Sequence, residues 1–170
     1  NYYAVTGPTD MNYFLTNPFQ TDFVQDFVTT TTQFHLQDPL ALMDGQMKAN
    51  IGFKSPKVQI DAISQSGNRS AGSIPAKKSF LPQLGVQVSL DDMSEVFASA
   101  AQNMRAYQPG VNGPFSQTPA AFAAGLPNLK PETSNNFEAG YRYKGDAVQA
   151  SLAAYLTNFS DRLLQVTSTA

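Results

Sequence analysis

LKPETSNNFEAGYRYKGDAVQASLAAYLTNF, running from Leu129 to Phe159, decides the fold. Phe137, Ala139, Tyr141 and Tyr143 alternate with Asn136, Glu138, Gly140, Arg142 and Lys144. After a short polar break, Val148, Ala150, Leu152, Ala154 and Leu156 alternate with Gln149, Ser151, Ala153, Tyr155 and Thr157. A period of two with one apolar face marks a strand lying between two different environments. Lys144-Gly145-Asp146 supplies the turn, with Gly145 expected to use its freedom of positive φ. The stretch therefore predicts a β-hairpin.

Alternation alone does not say which environments these are, since a soluble sandwich also buries one face and wets the other. Strand length and the tyrosines near the turn favour lipid. A strand crosses a bilayer with about nine to eleven residues, and aromatic girdles sit at both interfaces. Both strands of the hairpin reach that length.

Working outward, the chain of 170 residues has no Cys, no Trp, one His and a formal net charge of -2. That length predicts a single domain, residues 1–170. Few charges combined with many Thr, Ser, Asn, Gln, Gly and aromatic residues fit an all-β chain with one wet face. The same balance argues against nucleic acid, whose binders carry a basic surface. The absence of Cys excludes disulfides and thiolate metal sites. No apolar run approaches the roughly eighteen residues of a membrane helix, which excludes helical membrane proteins only. With no charged-then-apolar leader at Asn1, the chain is expected to be an internal piece of a longer protein.

Before the hairpin, residues 1–22 read as a polar loop broken at Gly7-Pro8 and Asn17-Pro18. FVQDFVTTTTQFHLQ, Phe23 to Gln37, is rich in β-branched and aromatic residues and predicts a strand ended by Asp38-Pro39. Leu40 to Gly45 is then a connection. Met47, Ala49, Ile51 and Phe53 are apolar at odd positions, whereas Val58, Ile60 and Ala62 are apolar at even ones. That change of phase across Ser55-Pro56-Lys57 predicts a bulge. SQSGNRSAGSIPAKK, Ser64 to Lys78, reads as a loop, and Leu84, Val86, Val88 and Leu90 alternate in a further strand. Asp91-Asp92 makes a short turn. In Met93 to Tyr107, Val96, Phe97, Ala100, Ala101 and Met104 fit helical spacing as well as they fit a strand. Gln108 to Asn128 is a second long loop with a short helix expected to open at Thr118-Pro119. The tail after Arg162 extends the last strand before a polar end. Connections alternate short (38–45, 91–94, 145–146) and long (63–79, 108–128), the asymmetry of outer-membrane barrels.

Several segments carry a resemblance to a known family. Leu129-Lys130-Pro131-Glu132-Thr133-Ser134, then Asn136 to Tyr143, then Tyr155 through Asn158-Phe159-Ser160-Asp161-Arg162-Leu163, resemble late barrel strands of the TonB-dependent outer-membrane receptors. Phe80-Leu81-Pro82-Gln83-Leu84-Gly85 is similar to a descending strand of that family. Val96-Phe97-Ala98-Ser99 through Asn103-Met104-Arg105-Ala106 is similar to a rising one, with Ala100 and Tyr107 departing from the usual aromatic and Pro. The resemblance settles Met93 to Tyr107 as a strand. It implies about six strands of a larger antiparallel up-and-down transmembrane β-barrel in the Gram-negative outer membrane. It further implies import of a scarce ligand (iron-siderophore, cobalamin or carbohydrate), driven by TonB through a plug domain of the full-length protein. Asn103, Arg105, Glu138, Arg142 and Lys144 are then expected to face the lumen and meet plug or ligand. The long loops are expected to form the extracellular, ligand-meeting surface. The rival readings are a passive outer-membrane barrel or adhesin and a soluble β-rich binding module.

No enzymatic constellation is present: GxxxxGK(S/T), GxSxG and HExxH are all absent. His35 is the only imidazole and reads as a wall residue. Asp91-Asp92 lacks the surrounding spacing of a calcium loop. Asn68-Arg69-Ser70 and Asn158-Phe159-Ser160 match a glycosylation sequon of little weight in a bacterial barrel. No catalytic residue, cofactor or metal is expected.

Overall fold

The computed structural model describes residues 23–110 and 113–162. The polar segment 1–22 and the tail beyond Arg162 lie outside the described residues. Seven antiparallel strands make one sheet: β1 (Val24–Leu42), β2 (Met47–Ser66), β3 (Gly72–Lys77), β4 (Leu81–Ser89), β5 (Ser94–Arg105), β6 (Glu132–Lys144) and β7 (Gln149–Ser160). The order is β1-β2-β4-β5-β6-β7, with β3 beside the far half of β2. Single 3-10 turns occupy Met43–Gly45, Pro114–Ser116 and Leu126–Asn128, and one short helix, α1, spans Pro119–Gly125. Thr118 caps that helix by accepting a hydrogen bond from the Ala121 amide, with Pro119 in the first turn, as its sequence predicts. The ambiguous segment after Met93 is strand, because both of its edges find ladder partners in β4 and β6.

Directly paired residues share a face, so the register sorts every side chain. One face carries Leu36, Ile51, Leu84, Ala98, Phe137, Tyr141, Leu152 and Leu156, and most of its large side chains are exposed, Leu152 at 76%. The other carries Gln37, Gln83, Gln87, Glu95, Asn103, Arg105, Glu138, Arg142 and Lys144. Among the described residues one acid interrupts the apolar part of the first face between Phe34 and Leu42, Asp38 opposite Ile51; Asp26 and Asp61 lie on it farther up, beyond Pro56.

β1 and β2 are 19 and 20 residues long, about 65 Å each at 3.3 Å per residue. A hydrocarbon layer about 30 Å thick accounts for roughly half of that. The pair passes through two environments, and its polarity inverts between them. From Met47 to Phe53 the odd residues of β2 are the apolar ones and the even ones, Lys48, Asn50 and Lys54, are polar. Beyond Pro56 the even residues Val58, Ile60 and Ala62 are apolar and packed, while Lys57, Gln59 and Asp61 occupy the odd face.

Four expectations are corrected. The strand does not stop at Asp38-Pro39. β1 runs on to Leu42, because its ladder with β2 continues through Pro39 opposite Asn50 to Leu42 opposite Met47 and Pro39 can direct its missing amide away from β2. The phase change at Ser55-Pro56-Lys57 is not a bulge of β2 against β1, whose register is unbroken there. The apolar side chains change faces because the surroundings change. The extra residue lies instead on the opposite neighbour, where Lys78, Ser79 and Phe80 face Ser55 and Pro56 between β3 and β4. Residues 64–78 are not all loop: Gly72–Lys77 forms β3, making seven strands rather than six. Gly145 keeps negative φ, unlike Gly45 (φ 90) and Gly67 (φ 84), and its bareness makes room for the Tyr143 ring, 2.7 Å from where a Cβ would stand.

Candidate functional site

The polar face and the folded mouth above it form the candidate site. Across the lower strands, Gln37, Gly52 and Gln83 stand in one row. A Cβ at Gly52 would approach Gln83 Nε2 to 3.1 Å; without it, Gln83 Nε2 reaches across β2 and donates to Gln37 Oε1 at 3.1 Å. Gln37 Oε1 also meets His35 Nε2 at 3.0 Å, which ties the single imidazole into an amide ladder. The Asn50 Oδ1 atom on this face is buried and has no hydrogen-bond partner among the described residues.

A second row repeats the device with charge. Phe97 lies across Gly140, where a Cβ would stand 2.5 Å from the ring. The Arg142 guanidinium sits 4.1 Å above the centre of that ring and donates to Glu95 Oε1 at 2.9 Å. Ring, cation and carboxylate hold one another in place. Arg142 and Lys144 also line a groove of about 530 Å³ at the turn end of the sheet, with Asp91, Asp92 and Glu95 opposite them. Asp91 Oδ1 accepts from the Met93 amide at 2.8 Å, so that carboxylate closes the turn. Among the described residues no group of three or more His, Cys, Asp or Glu could hold a metal ion.

All five residues singled out by sequence share this face by register: Asn103 opposite Ser134, Arg105 opposite Glu132, Glu138 opposite Ser99, Arg142 opposite Glu95 and Lys144 opposite Gln149. Among the described residues only Arg142 of the five has an ion-pair partner, and Asn103, Arg105, Glu138 and Lys144 are exposed. Tyr155, opposite Glu138, adds an aromatic surface that is 84% exposed.

Sequence reasoning missed the mouth. Gln108 to Asn128 reads in sequence as a long loop, yet the described part from Pro114 to Leu129 folds onto the even face of upper β2. Phe115 stacks on Phe122 with centroids 5.0 Å apart and tilts against Phe27 at 6.1 Å. Ile60, Ala62, Ile74, Ala76 and Tyr107 complete the cluster. Polar ties fix it to the β2–β3 loop: Ser70, wholly buried, donates through Oγ to the Gln117 carbonyl at 2.7 Å, and Gln25 Nε2 donates to the Ser70 carbonyl at 2.8 Å and that of Phe115 at 3.2 Å. The Arg69 guanidinium binds the Ser116 carbonyl and covers Phe23. Burial, reinforced by the charge of Asp161, pushes the Tyr107 hydroxyl above its ordinary value of 10.0. The available signal was Phe115 and Phe122, the two aromatic residues of a stretch read as loop, together with the apolar even positions of β2.

A sheet exposed and apolar on one face and polar on the other, with two strands, β1 and β2, longer than a bilayer is thick, fits the wall of a membrane barrel. The family described as "TonB dependent receptor-like, beta-barrel" matches residues 1–170. The chain belongs to that family. TonB-dependent receptors are outer-membrane β-barrel transporters, not an enzyme family, and act with a plug domain and TonB. Comparison with individually curated proteins returns no match.

Proposed function

We propose that the chain is one arc of the wall of an active importer, taking up a scarce ligand such as an iron-siderophore, cobalamin or a carbohydrate with energy from TonB. The observation that carries this is the separation of faces: one exposed apolar face suited to lipid and, behind it, a continuous polar face of amides and charges suited to a plug and a passing solute. Residues 1–170 contribute a partial barrel domain, since about eight strands are the smallest closed and packed set. Asn103, Arg105, Glu138 and Lys144 supply charge and amide contacts to plug or ligand. Arg142 holds its position through Glu95 and Phe97.

Uptake in cells expressing the full receptor tests this. Labelled ferric siderophore, cobalamin and maltooligosaccharide serve as probes, with and without TonB. Accumulation of one probe that requires TonB supports the proposal; equal accumulation without TonB makes the barrel a passive pore. Glu138→Gln and Lys144→Gln are expected to change KM for that probe at unchanged surface level.

A further inference from the structure

Just where the polarity of β2 inverts, two lysines face each other on the outward face, with a third next to them in the chain. Lys57 stands opposite Thr32 on one side and directly opposite Lys77 on the other. Lys78 follows in the extra residue between β3 and β4, and all three lysines are exposed. Like charges placed directly across a ladder repel. Among the described residues none of the three is in a salt bridge. The nearest acid along that face of β2, Asp61, is engaged by Gln59 Nε2 at 3.2 and 3.4 Å. Immediately below, Phe34, Phe53 and Phe80 form a continuous aromatic patch, with centroids 5.9 and 5.0 Å apart. Phe80 and Phe34 are largely exposed. Aromatic side chains at this position mark the boundary between hydrocarbon and headgroups. The lysine pair thus lies one step outside the hydrocarbon, on the face that meets lipid, with repulsion that an anion between them would relieve.

We propose that Lys57, Lys77 and Lys78 bind the phosphate-bearing headgroup of a lipid in the surrounding leaflet, with Phe34, Phe53 and Phe80 packing against its acyl chains. The proposal rests on the reading of the apolar face as lipid-facing. Lysine is suited to the role as a compact charge on a flexible stem, able to reach a phosphate from either strand.

The test uses the full receptor purified from outer membrane in a non-ionic detergent, with short-chain phosphatidic acid, the matching diacylglycerol and inorganic phosphate as probes. Binding is read by native mass spectrometry and thermal shift. Phosphatidic acid is expected to bind, and diacylglycerol and inorganic phosphate are not. Each lysine near an anionic lipid contributes about fivefold, so K57Q/K77Q should weaken phosphatidic acid by about 25-fold. K48Q/K54Q, of equal charge on the opposite face, should leave it unchanged. Equal binding by K57Q/K77Q overturns the site, as does inorganic phosphate competing as well as the lipid, which would make it an aqueous anion site. If either result comes from a receptor that still fractionates with the outer membrane, the site alone fails. A wild-type protein that is monomeric and folded without detergent overturns the lipid-facing reading as well.

Discussion

Phe115→Ala isolates the mouth from the membrane wall. Phe115 is 1% exposed, and it touches Phe122 and Phe27 from opposite sides. A buried phenylalanine side chain of about 200 Å² at 25 cal/mol per Å² represents about 5 kcal/mol of transfer free energy. Loss of two aromatic pairs adds about 1–2 kcal/mol, and partial collapse of the cavity offsets some of the total. The expected loss is about 3–5 kcal/mol, the usual range for Phe→Ala in a packed core. The loss should be local. The cluster draws on β1–β3, Met104 at the end of β5, Ala106, Tyr107 and residues 115–129, and among the described residues it contains no side chain from β4 or β7. Hydrogen exchange and limited proteolysis of the barrel in detergent should show residues 106–131 opening several hundredfold faster. The strands β4–β7 should stay protected, and heat-modified mobility on gels should be unchanged. Phe137→Ala on the exposed apolar face is the control and should leave the mouth closed. Unchanged protection of 106–131 in Phe115→Ala would refute a packed mouth. Loss of protection throughout the sheet would refute its independence from the wall.

Three further outcomes are expected. Gly140→Ala drives a Cβ to 2.5 Å from the Phe97 ring and from the Leu152 carbonyl, so it should destabilise the barrel by about 1–3 kcal/mol; combining it with Phe97→Ala should cost less than the two changes added, as measured by urea unfolding in detergent. The Tyr107 hydroxyl is held above its ordinary value of 10.0 by burial and by Asp161, so its protonated form is favoured in the folded state. Its stabilisation is then complete below about pH 10 and is lost as pH rises toward the folded value. Hydrogen exchange should show the mouth opening in that alkaline range, and Tyr107→Phe should flatten the dependence. Asp38 is the one acid on the apolar band and faces Ile51. Asp38→Leu should raise the unfolding midpoint in lipid vesicles, by the order of 1 kcal/mol.

Period-two alternation made β6 and β7 legible, because each keeps one face apolar along most of its length; β5 fits helical spacing equally well and reads as strand only through the family resemblance. A common lumen face for Asn103, Arg105, Glu138, Arg142 and Lys144 was implied by the family resemblance, and the register of β5 against β6 places them on one face. Their partners were not legible: Glu95 lies 47 residues from Arg142, and only strand order brings them together. Gln37 and Gln83 meet across Gly52 for the same reason. β3 was hidden because its six residues, GSIPAK, carry only Ile74 and Ala76 as buried apolar positions amid loop-forming Gly, Ser and Pro. The change of phase in β2 was visible in sequence, yet parity cannot distinguish an inserted residue from a change of surroundings. Register against β1 decided for the surroundings. Asp38-Pro39 misled because proline ends a strand only where its missing amide is needed in the ladder, and the ladder with β2 continues past it to Leu42.

The central claim is that β2 passes from lipid into water near Ser55–Lys57 while its ladder with β1 remains unbroken. The chain has no native cysteine, so single cysteines at positions 47 to 62 can each carry a spin label in receptor reconstituted in vesicles. Collision with oxygen reports lipid, and collision with a water-soluble nickel chelate reports solvent. Positions 49, 51 and 53 should favour oxygen, positions 57, 59 and 61 should favour nickel, and positions 58, 60 and 62 should be shielded from both. Nickel accessibility at 49, 51 and 53, or an oxygen-favoured odd face running unchanged through 61, would contradict the account.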